Sequence, residues 1–467
     1  MPHAARKHKP QDQHPAGTPF HRSRRWDWPV LVVCAVSALA VGLSSAADTS
    51  QHAWGLFAAA GYACAALAAA ASPTPWARTP AVIAVTGAAA IPLLYLTAIG
   101  RAQMEVGVVE RAADLLFSSG TPYNSAPHAV RDFNPYLPGM ALFGIPHMLF
   151  GVNPLSSARL WSLVGFLAAV TCAVSVLTKS QHTHTDPADE TARRAVAWTG
   201  ALWLIACPVV ALPLAIGGVD PPVIALICLA LANTRRGHTV YAGLAIGAAC
   251  ALKWTAWPAV PVIVAVFAAT AGKRVALTCA AVATTIAVLT ILPAALVDGS
   301  AFYQNAVLYP FGLGHTASSA QSPLLGHLIT SLVPDGRTIT MALIVLSAMG
   351  IGISLLVHPP RTTTAAADRL ALGLILAILL SPATRIGYAI YPVVLVIWPR
   401  FAGFLSTTPH EVEPPHQRQT LKSRLCAATV TRGVSLRFPR DAGTRPDGAR
   451  EKSPDDACPE ETPAGVA

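Results

Sequence analysis

Long apolar stretches occupy most of the chain between about residue 28 and residue 400, and polar residues collect between them. A membrane-spanning α-helix needs about 20 mostly apolar residues. Thirteen stretches approach that length: 28–48, 53–72, 80–99, 137–152, 157–178, 195–216, 221–233, 239–252, 254–271, 275–296, 338–357, 369–383 and 386–399. The pattern therefore predicts an all-α, polytopic membrane protein.

The composition supports this prediction, because 53% of the 467 residues are hydrophobic and only 12% are charged. Soluble domains usually carry about twice that charged fraction. The net charge of +10 raises the question of nucleic-acid binding. The excess lies in the tails and short loops, where it orients membrane helices. We expect membrane lipid around the protein and no nucleic-acid partner.

The nine cysteines do not suggest a metal site, because the first seven lie inside apolar stretches without CxxC or Cys/His spacing. Such cysteines usually pack as small apolar side chains. We therefore expect no metal ion and no cofactor.

The basic loops predict how the helices are oriented, since loops rich in Lys and Arg stay in the cytoplasm. If 137–152 crossed the membrane, three basic loops, near 179–194, 235–236 and 273–274, would face outward. If 137–152 lies along the outer interface, all three face inward. We prefer this second arrangement, with about 12 spans and both termini cytoplasmic. The short stretches 221–233 and 239–252 are the weakest predicted spans.

The segments between and beyond the spans differ in their expected roles. Residues 1–27 form a basic cytoplasmic tail, and 401–467 are rich in Pro and charged residues without periodicity, which predicts a disordered cytoplasmic tail. The predicted outer loops, 100–136 and 297–337, are too long to be simple connections. We expect most of the function to lie in these two loops.

The first outer loop contains a predicted amphipathic helix that ends near Gly120 and carries the carboxylates Glu105, Glu110 and Asp114. It is too short and too polar to span, so we expect it on the outer membrane surface. Glu105 lies just past the third span, where a carboxylate beside apolar surface is suited to act as a general base. The alternative is an ordinary solvated acidic face.

Two cations are predicted near outward turns, against the usual distribution of positive charge. Lys253 is followed by two tryptophans, and Arg385 precedes Tyr388. Long cationic side chains at a membrane boundary often only reach toward water. Placed beside lipid headgroups, they are also suited to bind a phosphate.

Other candidates are weaker. Asp220 lies in a short outward turn, GGVDPP, where it either caps a helix or faces a site. The second outer loop contains His315, together with Tyr309, Gln321 and His327. A single loop histidine is usually solvated or structural.

The order of several motifs resembles a known family. GTPY, FNPYLPGMALFGIPHMLFG, SSARLW, GGVDPP, AGLAIGAACALKWTAWP, YPFGLG, SPLLG and PATRIGYAIYP follow one another between about residues 80 and 400. This stretch resembles C-type (GT-C) glycosyltransferases, most of all glycosyltransferase family 87, the polyprenyl-phosphate-mannose-dependent mannosyltransferases of actinobacteria. No single motif is specific, and their order carries the resemblance.

The resemblance implies a GT-C-like catalytic domain over 80–400, with interfacial helices in the first outer loop. It implies inverting transfer of a sugar, with mannose expected, from a polyprenyl phosphate donor to an extracytoplasmic glycolipid or glycan acceptor. The family's base is usually an aspartate, and Glu105 takes the matching position. Lys253 or Arg385 would stabilise the leaving phosphate. Asp220, Tyr388, His315 and Arg159, which begins the following span, are further substrate-binding candidates.

Two alternatives remain open from the sequence. A transporter or lipid flippase would often show internal repeats and mid-span charges, and neither is evident here. A transferase-like protein without activity is also possible, because glutamate replaces the usual aspartate. The resemblance leaves the two additional N-terminal helices, 28–79, without a function.

Overall fold

The computed structural model describes residues 25–179, 187–314, 316 and 320–404. No β-strand occurs in these residues, which confirms the all-α membrane fold. The α-helices are α1 Asp27–Ser44, α2 Ser50–Ala71, α3 Arg78–Val85, α4 Ile91–Ala98, α5 Met104–Ser119, α6 Ile145–Phe150, α7 Ala158–Thr178, α8 Pro187–Ile205, α9 Pro208–Ile216, α10 Asp220–Arg235, α11 Thr239–Leu252, α12 Ala259–Thr270, α13 Lys273–Val297, α14 Gly299–Phe302, α15 Leu325–Leu332, α16 Gly336–Val357, α17 Thr363–Leu380 and α18 Ile390–Phe404.

Among the described residues, seven helices are long and apolar enough to cross a membrane, or eight if a bent pair counts as one span. One of the seven, Arg78–Ala98, joins α3 and α4 through a π-helical turn. Shorter apolar helices cover Thr239–Leu252, Trp254–Thr270 and Ile386–Arg400. The protein is therefore polytopic, and the number of about 12 spans stays a prediction.

The first two helices pack closely on each other and on the rest of the bundle. A methyl group at Gly55 would overlap the backbone of Gly42, so α1 and α2 are in backbone contact there. Trp54 donates a hydrogen bond from Nε1 to the Ala88 carbonyl at 2.7 Å. Tyr62 donates from its hydroxyl to the Ala206 carbonyl at 2.6 Å. Buried polar groups paired in this way fix the hairpin's position.

The predicted span over 195–216 consists of two helices and is not one straight helix. α8 ends at Ile205 and α9 begins at Pro208, with a bend of 72° between them. Proline has no amide hydrogen to donate to a carbonyl of the preceding turn, and it disfavours helical backbone angles at the residue before it. The break brings the Ile216 carbonyl to the Gln103 amide at 2.9 Å, just before α5.

Residues 137–152, predicted to lie along the interface, form two short pieces. Pro138–Gly144 is a 3₁₀-helix and continues into α6. The stretch Pro138–Phe150 is shorter than the candidate spans. A methyl group at Gly144 would overlap the Val109 carbonyl, so this segment lies directly on α5. Its position relative to the membrane stays a prediction.

The second predicted outer loop, 297–337, contains more helix than a connecting loop would. It holds α14, a π-helical turn over Tyr303–Leu308, α15 and the first turn of α16. At the C-terminal end, α18 continues to Phe404, past the predicted boundary at 400. Residues 1–24 and 405–467 of the two predicted tails lie outside the described residues.

Candidate functional site

Glu105 lies in the first turn of α5 and is only 5% exposed. Its Oε1 atom accepts a hydrogen bond from Nη1 of Arg385. Its Oε2 atom is also buried but has no hydrogen-bond partner in the described part of the chain. A buried carboxylate oxygen without a partner is costly for the fold, which is a reason to look for a ligand at this position.

Arg385 is positioned by a short backbone pairing between two segments that are distant in sequence. The Ser322 amide donates to the Thr384 carbonyl at 2.9 Å, and the Thr384 amide donates to the Ala320 carbonyl at 2.9 Å. The Ile386 amide then donates to the Ser322 hydroxyl at 3.1 Å. Burial lowers the pKa of Arg385, but the negative charge of Glu105 outweighs this and raises it above its ordinary value.

A second ion pair joins Lys253 to Asp220. Lys253 follows α11 in extended conformation, and its Nζ atom lies 2.5 Å from Oδ1 of Asp220 in the first turn of α10. The Tyr391 hydroxyl donates to the same oxygen at 2.6 Å and accepts from the Thr255 hydroxyl at 2.8 Å. Burial lowers the pKa of Lys253, and Asp220 reverses this, so the net shift is upward. Asp220 is therefore the partner of a buried cation.

Two tyrosines join the ion pairs into one cluster. The Nζ atom of Lys253 lies 4.7 Å from the ring centre of Tyr388 and 5.6 Å from that of Tyr136. Both distances are within the range of cation–π attraction. Burial, followed by the negative charge of Glu105, raises the pKa of Tyr136 well above its ordinary value. Lys253, Asp220, Glu105 and Arg385 therefore influence one another electrostatically.

Sequence reasoning did not select Tyr136 as a site residue. The residue opens the segment before the 3₁₀-helix, and its amide donates to Oδ1 of Asn134 at 3.1 Å. Its carbonyl accepts from the Tyr123 hydroxyl at 2.9 Å. The motif FNPY indicated this local turn, since an Asn side chain often accepts a hydrogen bond from the backbone amide two residues later. Nothing local showed which charged residues its ring would approach.

Asn134 and Asn305 tie the first predicted outer loop to the π-helical turn of the second predicted outer loop. The Asn134 amide donates to Oδ1 of Asn305 at 3.0 Å. Nδ2 of Asn305 donates to the Asn124 carbonyl at 2.9 Å. Both side chains are buried and well paired. They hold in place the loop that carries Tyr136.

A cavity of about 970 Å³ opens beside the Glu105–Arg385 pair. Its lining comes from four separate segments: Asp48–Gln51, Gly100–Glu105, Gln321–Pro323 and Arg385–Gly387. Most of these side chains are polar or charged. The cavity is large enough for a ligand of several rings.

Two other predicted residues make hydrogen bonds with the backbone around α5 and α7. Oε1 of Glu110 accepts from the Ala158 amide at 3.0 Å and the Ser157 hydroxyl at 3.3 Å, so Glu110 caps the start of α7. Arg159 donates to the Arg101 carbonyl and, at 3.4 Å, to the Thr97 hydroxyl. Arg159 thus binds the segment before α5.

The remaining candidate residues lie in different surroundings. Asp114 is exposed on α5. Tyr309 stacks on Phe133 with 4.3 Å between ring centres, and Gln321 lines the cavity. His327 lies in α15, and its carbonyl accepts from Thr330. His315 lies outside the described residues. In the described part of the chain, no group of three or more His, Cys, Asp or Glu side chains is arranged to hold a metal ion.

The model of glycosyltransferase family 87 matches residues 134–382, which is more than half of the chain. The chain belongs to glycosyltransferase family 87. It is therefore a glycosyltransferase built into a membrane bundle, and the transporter or flippase alternative is not supported. No curated protein and no solved structure matches it.

The family match covers only part of the cluster. It includes Tyr136, Asp220 and Lys253, whereas Arg385 lies three residues beyond its C-terminal end and Glu105 lies 29 residues before its N-terminal end. The hairpin of α1 and α2 also lies outside the match. The structure nevertheless brings Glu105 and Arg385 onto the matched core.

Proposed function

We propose that this glycosyltransferase transfers mannose from a polyprenyl phosphate donor to a glycolipid or glycan acceptor on the extracytoplasmic face of the membrane. The observation that carries the proposal is the buried Oε2 atom of Glu105, which has no hydrogen-bond partner among residues 25–179, 187–314, 316 and 320–404, in a cluster that also contains Lys253 and Arg385. A carboxylate and two cations are the groups that transfer from a sugar phosphate requires.

Glu105 is the proposed general base. Arg385 holds one carboxylate oxygen, so the side chain is fixed and the other oxygen remains for the proton of an acceptor hydroxyl. Fixed geometry of this kind contributes strongly to proton transfer. Glu110 is a poorer candidate, because its Oε1 already accepts hydrogen bonds from Ser157 and Ala158 at the start of α7.

Lys253 and Arg385 are the proposed phosphate-binding residues. Without the donor, the two cations balance the two carboxylates of Glu105 and Asp220. A lysine ammonium has three N–H donors, and one of them serves Asp220. The buried position strengthens attraction to an added phosphate, because the local dielectric is lower than that of water.

The proposed reaction is a single inverting displacement. The acceptor oxygen forms a bond to the anomeric carbon while its proton passes to Oε2 of Glu105. The bond from that carbon to the phosphate oxygen breaks, and polyprenyl phosphate leaves with the electron pair. The donor's phosphodiester carries one negative charge, and the leaving monoester carries up to two. Lys253 and Arg385 stabilise the added charge.

The lipid donor and the extracytoplasmic side are supported by the sequence. The distribution of Lys and Arg favours an arrangement with both termini in the cytoplasm and the loops carrying Glu105 and Arg385 on the opposite side. A polyprenyl phosphate presents its sugar at the membrane surface, where a cluster at the end of a helical bundle can reach it. Mannose follows from the resemblance of the motifs.

The test is a transfer assay with purified protein in lipid vesicles. Radiolabelled polyprenyl phosphate mannose, polyprenyl phosphate arabinose and a nucleotide-linked mannose are supplied separately with a membrane extract as the acceptor source. We expect labelled product from polyprenyl phosphate mannose, and none from that donor with Glu105→Gln. Product from the nucleotide sugar alone would contradict the lipid donor, and product from the arabinose donor alone would contradict mannose.

A further inference from the structure

The turn between α1 and α2 forms one side of the cavity next to Glu105. Asp48, Thr49, Ser50 and Gln51 line it, together with residues of the catalytic core. We propose that this turn is an acceptor subsite, where Asp48 and Gln51 bind hydroxyl groups of an uncharged carbohydrate acceptor. The proposal deepens the proposed function and rests on it, because it names what the Glu105 carboxylate deprotonates.

The hairpin is built as a fixed support for this turn. The close contact of Gly42 with Gly55 holds α1 on α2. The Thr49 hydroxyl caps α2 by accepting from the His52 amide at 3.2 Å. His52 Nδ1 lies 2.8 Å from the Gly42 carbonyl, which ties the start of α2 back to α1. Trp54, one turn further along α2, bonds to the Ala88 carbonyl. Asp48 and Gln51 are therefore presented to the cavity from a rigid frame.

The lining favours a ligand rich in hydroxyl groups. Gln51, Gln103 and Gln321 supply side-chain amides, each able to donate and accept hydrogen bonds. Asp48 supplies a carboxylate acceptor. Among the lining side chains, the cations Arg101 and Arg385 are matched by Asp48 and Glu105. Because positive and negative groups are equal in number, the cavity suits an uncharged ligand better than an anionic one.

The position of the cavity connects this ligand to the reaction. Glu105 is itself part of the lining, and its Oε2 atom has no hydrogen-bond partner among the described residues. A sugar held by Asp48 and Gln51 would have its reactive hydroxyl near that carboxylate, whereas Lys253 and the tyrosines are not part of the cavity lining. The hairpin thus contributes to the choice of acceptor.

The experiment measures binding, so it does not depend on a donor. Protein in lipid nanodiscs is titrated with octyl α-D-mannoside, and with octyl phosphate as an anionic probe of the same chain length. We expect Asp48→Asn and Gln51→Ala each to raise the Kd for the mannoside about tenfold, equivalent to about 1.4 kcal/mol, since the first replaces a charged acceptor by a neutral one and the second removes a hydrogen bond. The matched controls are Asp335→Asn and Gln304→Ala, which change exposed residues outside the cavity. Both should change the Kd less than twofold.

Several results would overturn the subsite. These are no saturable binding of the mannoside, changes below twofold in both hairpin variants, or equal changes in the controls. If octyl phosphate binds more tightly than the mannoside, and this binding is lost in Arg101→Gln, the cavity is an anion site instead. Failure of the proposed function would be detected in the transfer assay, as the absence of Glu105-dependent transfer from polyprenyl phosphate mannose.

Discussion

Oε1 of Glu105 accepts a hydrogen bond from Arg385, although 280 residues separate the two in sequence. Glu105 lies in the first turn of α5, and Arg385 lies just before the 3₁₀-helix Ile386–Ala389 that leads into α18. The residues matched by the family model lie between them. The ion pair therefore closes the cluster from both ends of the matched region, and the proposed base is in place only when both ends have folded.

Replacing Glu105 by Gln should abolish transfer while the protein still folds, because the amide oxygen can still accept from Arg385, which is 28% exposed. The change keeps the size of the side chain and removes its ability to take a proton. Loss of a general base lowers kcat by roughly 10²–10⁴-fold. The measurement is initial transfer rate in vesicles, with membrane insertion and the melting temperature followed in parallel.

Glu105→Asp and Asp114→Asn are the companion variants. Aspartate keeps the carboxylate but shortens its reach, so part of the activity should remain. Asp114 is exposed on the same helix, and its amide variant should transfer at close to the normal rate. Normal activity in Glu105→Gln, or a loss in Asp114→Asn equal to that of Glu105→Gln, would move the base to another carboxylate.

Lys253 and Asp220 should contribute to stability as a pair, whereas only Lys253 should be needed for binding the donor. Lys253→Met leaves the largely buried carboxylate of Asp220 without its cation, and breaking a buried ion pair from one side costs about 3–5 kcal/mol. Adding Asp220→Asn should recover much of that loss, because no uncompensated charge remains. Donor use should not recover, since the proposed phosphate ligand is still absent.

Thermal unfolding and the KM for the lipid donor separate the two effects. Both should be measured for Lys253→Met, Asp220→Asn and the double variant. If the double variant regains the normal donor KM together with its stability, Lys253 has only a structural role.

The sequence was sufficient to predict the membrane class, the family and most of the helices, because these depend on local apolar length and motif order. It also pointed to Glu105, Lys253, Arg385, Asp220 and Tyr388, which the structure brings into one cluster. Each stands out locally as a charge or an aromatic residue at the end of an apolar stretch.

The pairings could not be predicted in this way. Nothing near Lys253 in sequence indicates Asp220 as its partner, because the two meet only when α10 and α11 pack together. The position of Tyr136 beside Lys253 depends likewise on the Leu137 amide bonding to the Leu252 carbonyl at 3.1 Å. The bend before Pro208 was missed because the apolar pattern runs through it unchanged.

Glu110→Gln should lower stability without removing the chemistry. The carboxylate accepts hydrogen bonds at the start of α7, and loss of such a cap costs about 0.5–2 kcal/mol. The residue is absent from the cavity lining. The expected result is a lower melting temperature with a kcat within about threefold of normal, after correction for folded protein. A kcat loss matching that of Glu105→Gln would instead make Glu110 part of the reaction.

The contact between Gly42 and Gly55 provides a test of the hairpin as a support. A methyl group at Gly55 would lie 2.6 Å from the Ala38 carbonyl oxygen and overlap the Gly42 backbone, so Gly55→Ala must push α1 and α2 apart. Forced overpacking of this kind costs about 1–3 kcal/mol. The matched change, Gly350→Ala, places a methyl group in open space on α16 and should leave stability the same or slightly higher.

Because the displaced turn carries Asp48 and Gln51, Gly55→Ala should also raise the acceptor KM more than the donor KM, measured in the vesicle assay. Equal rises in both constants would mean that the hairpin supports the whole bundle and does not act on the acceptor.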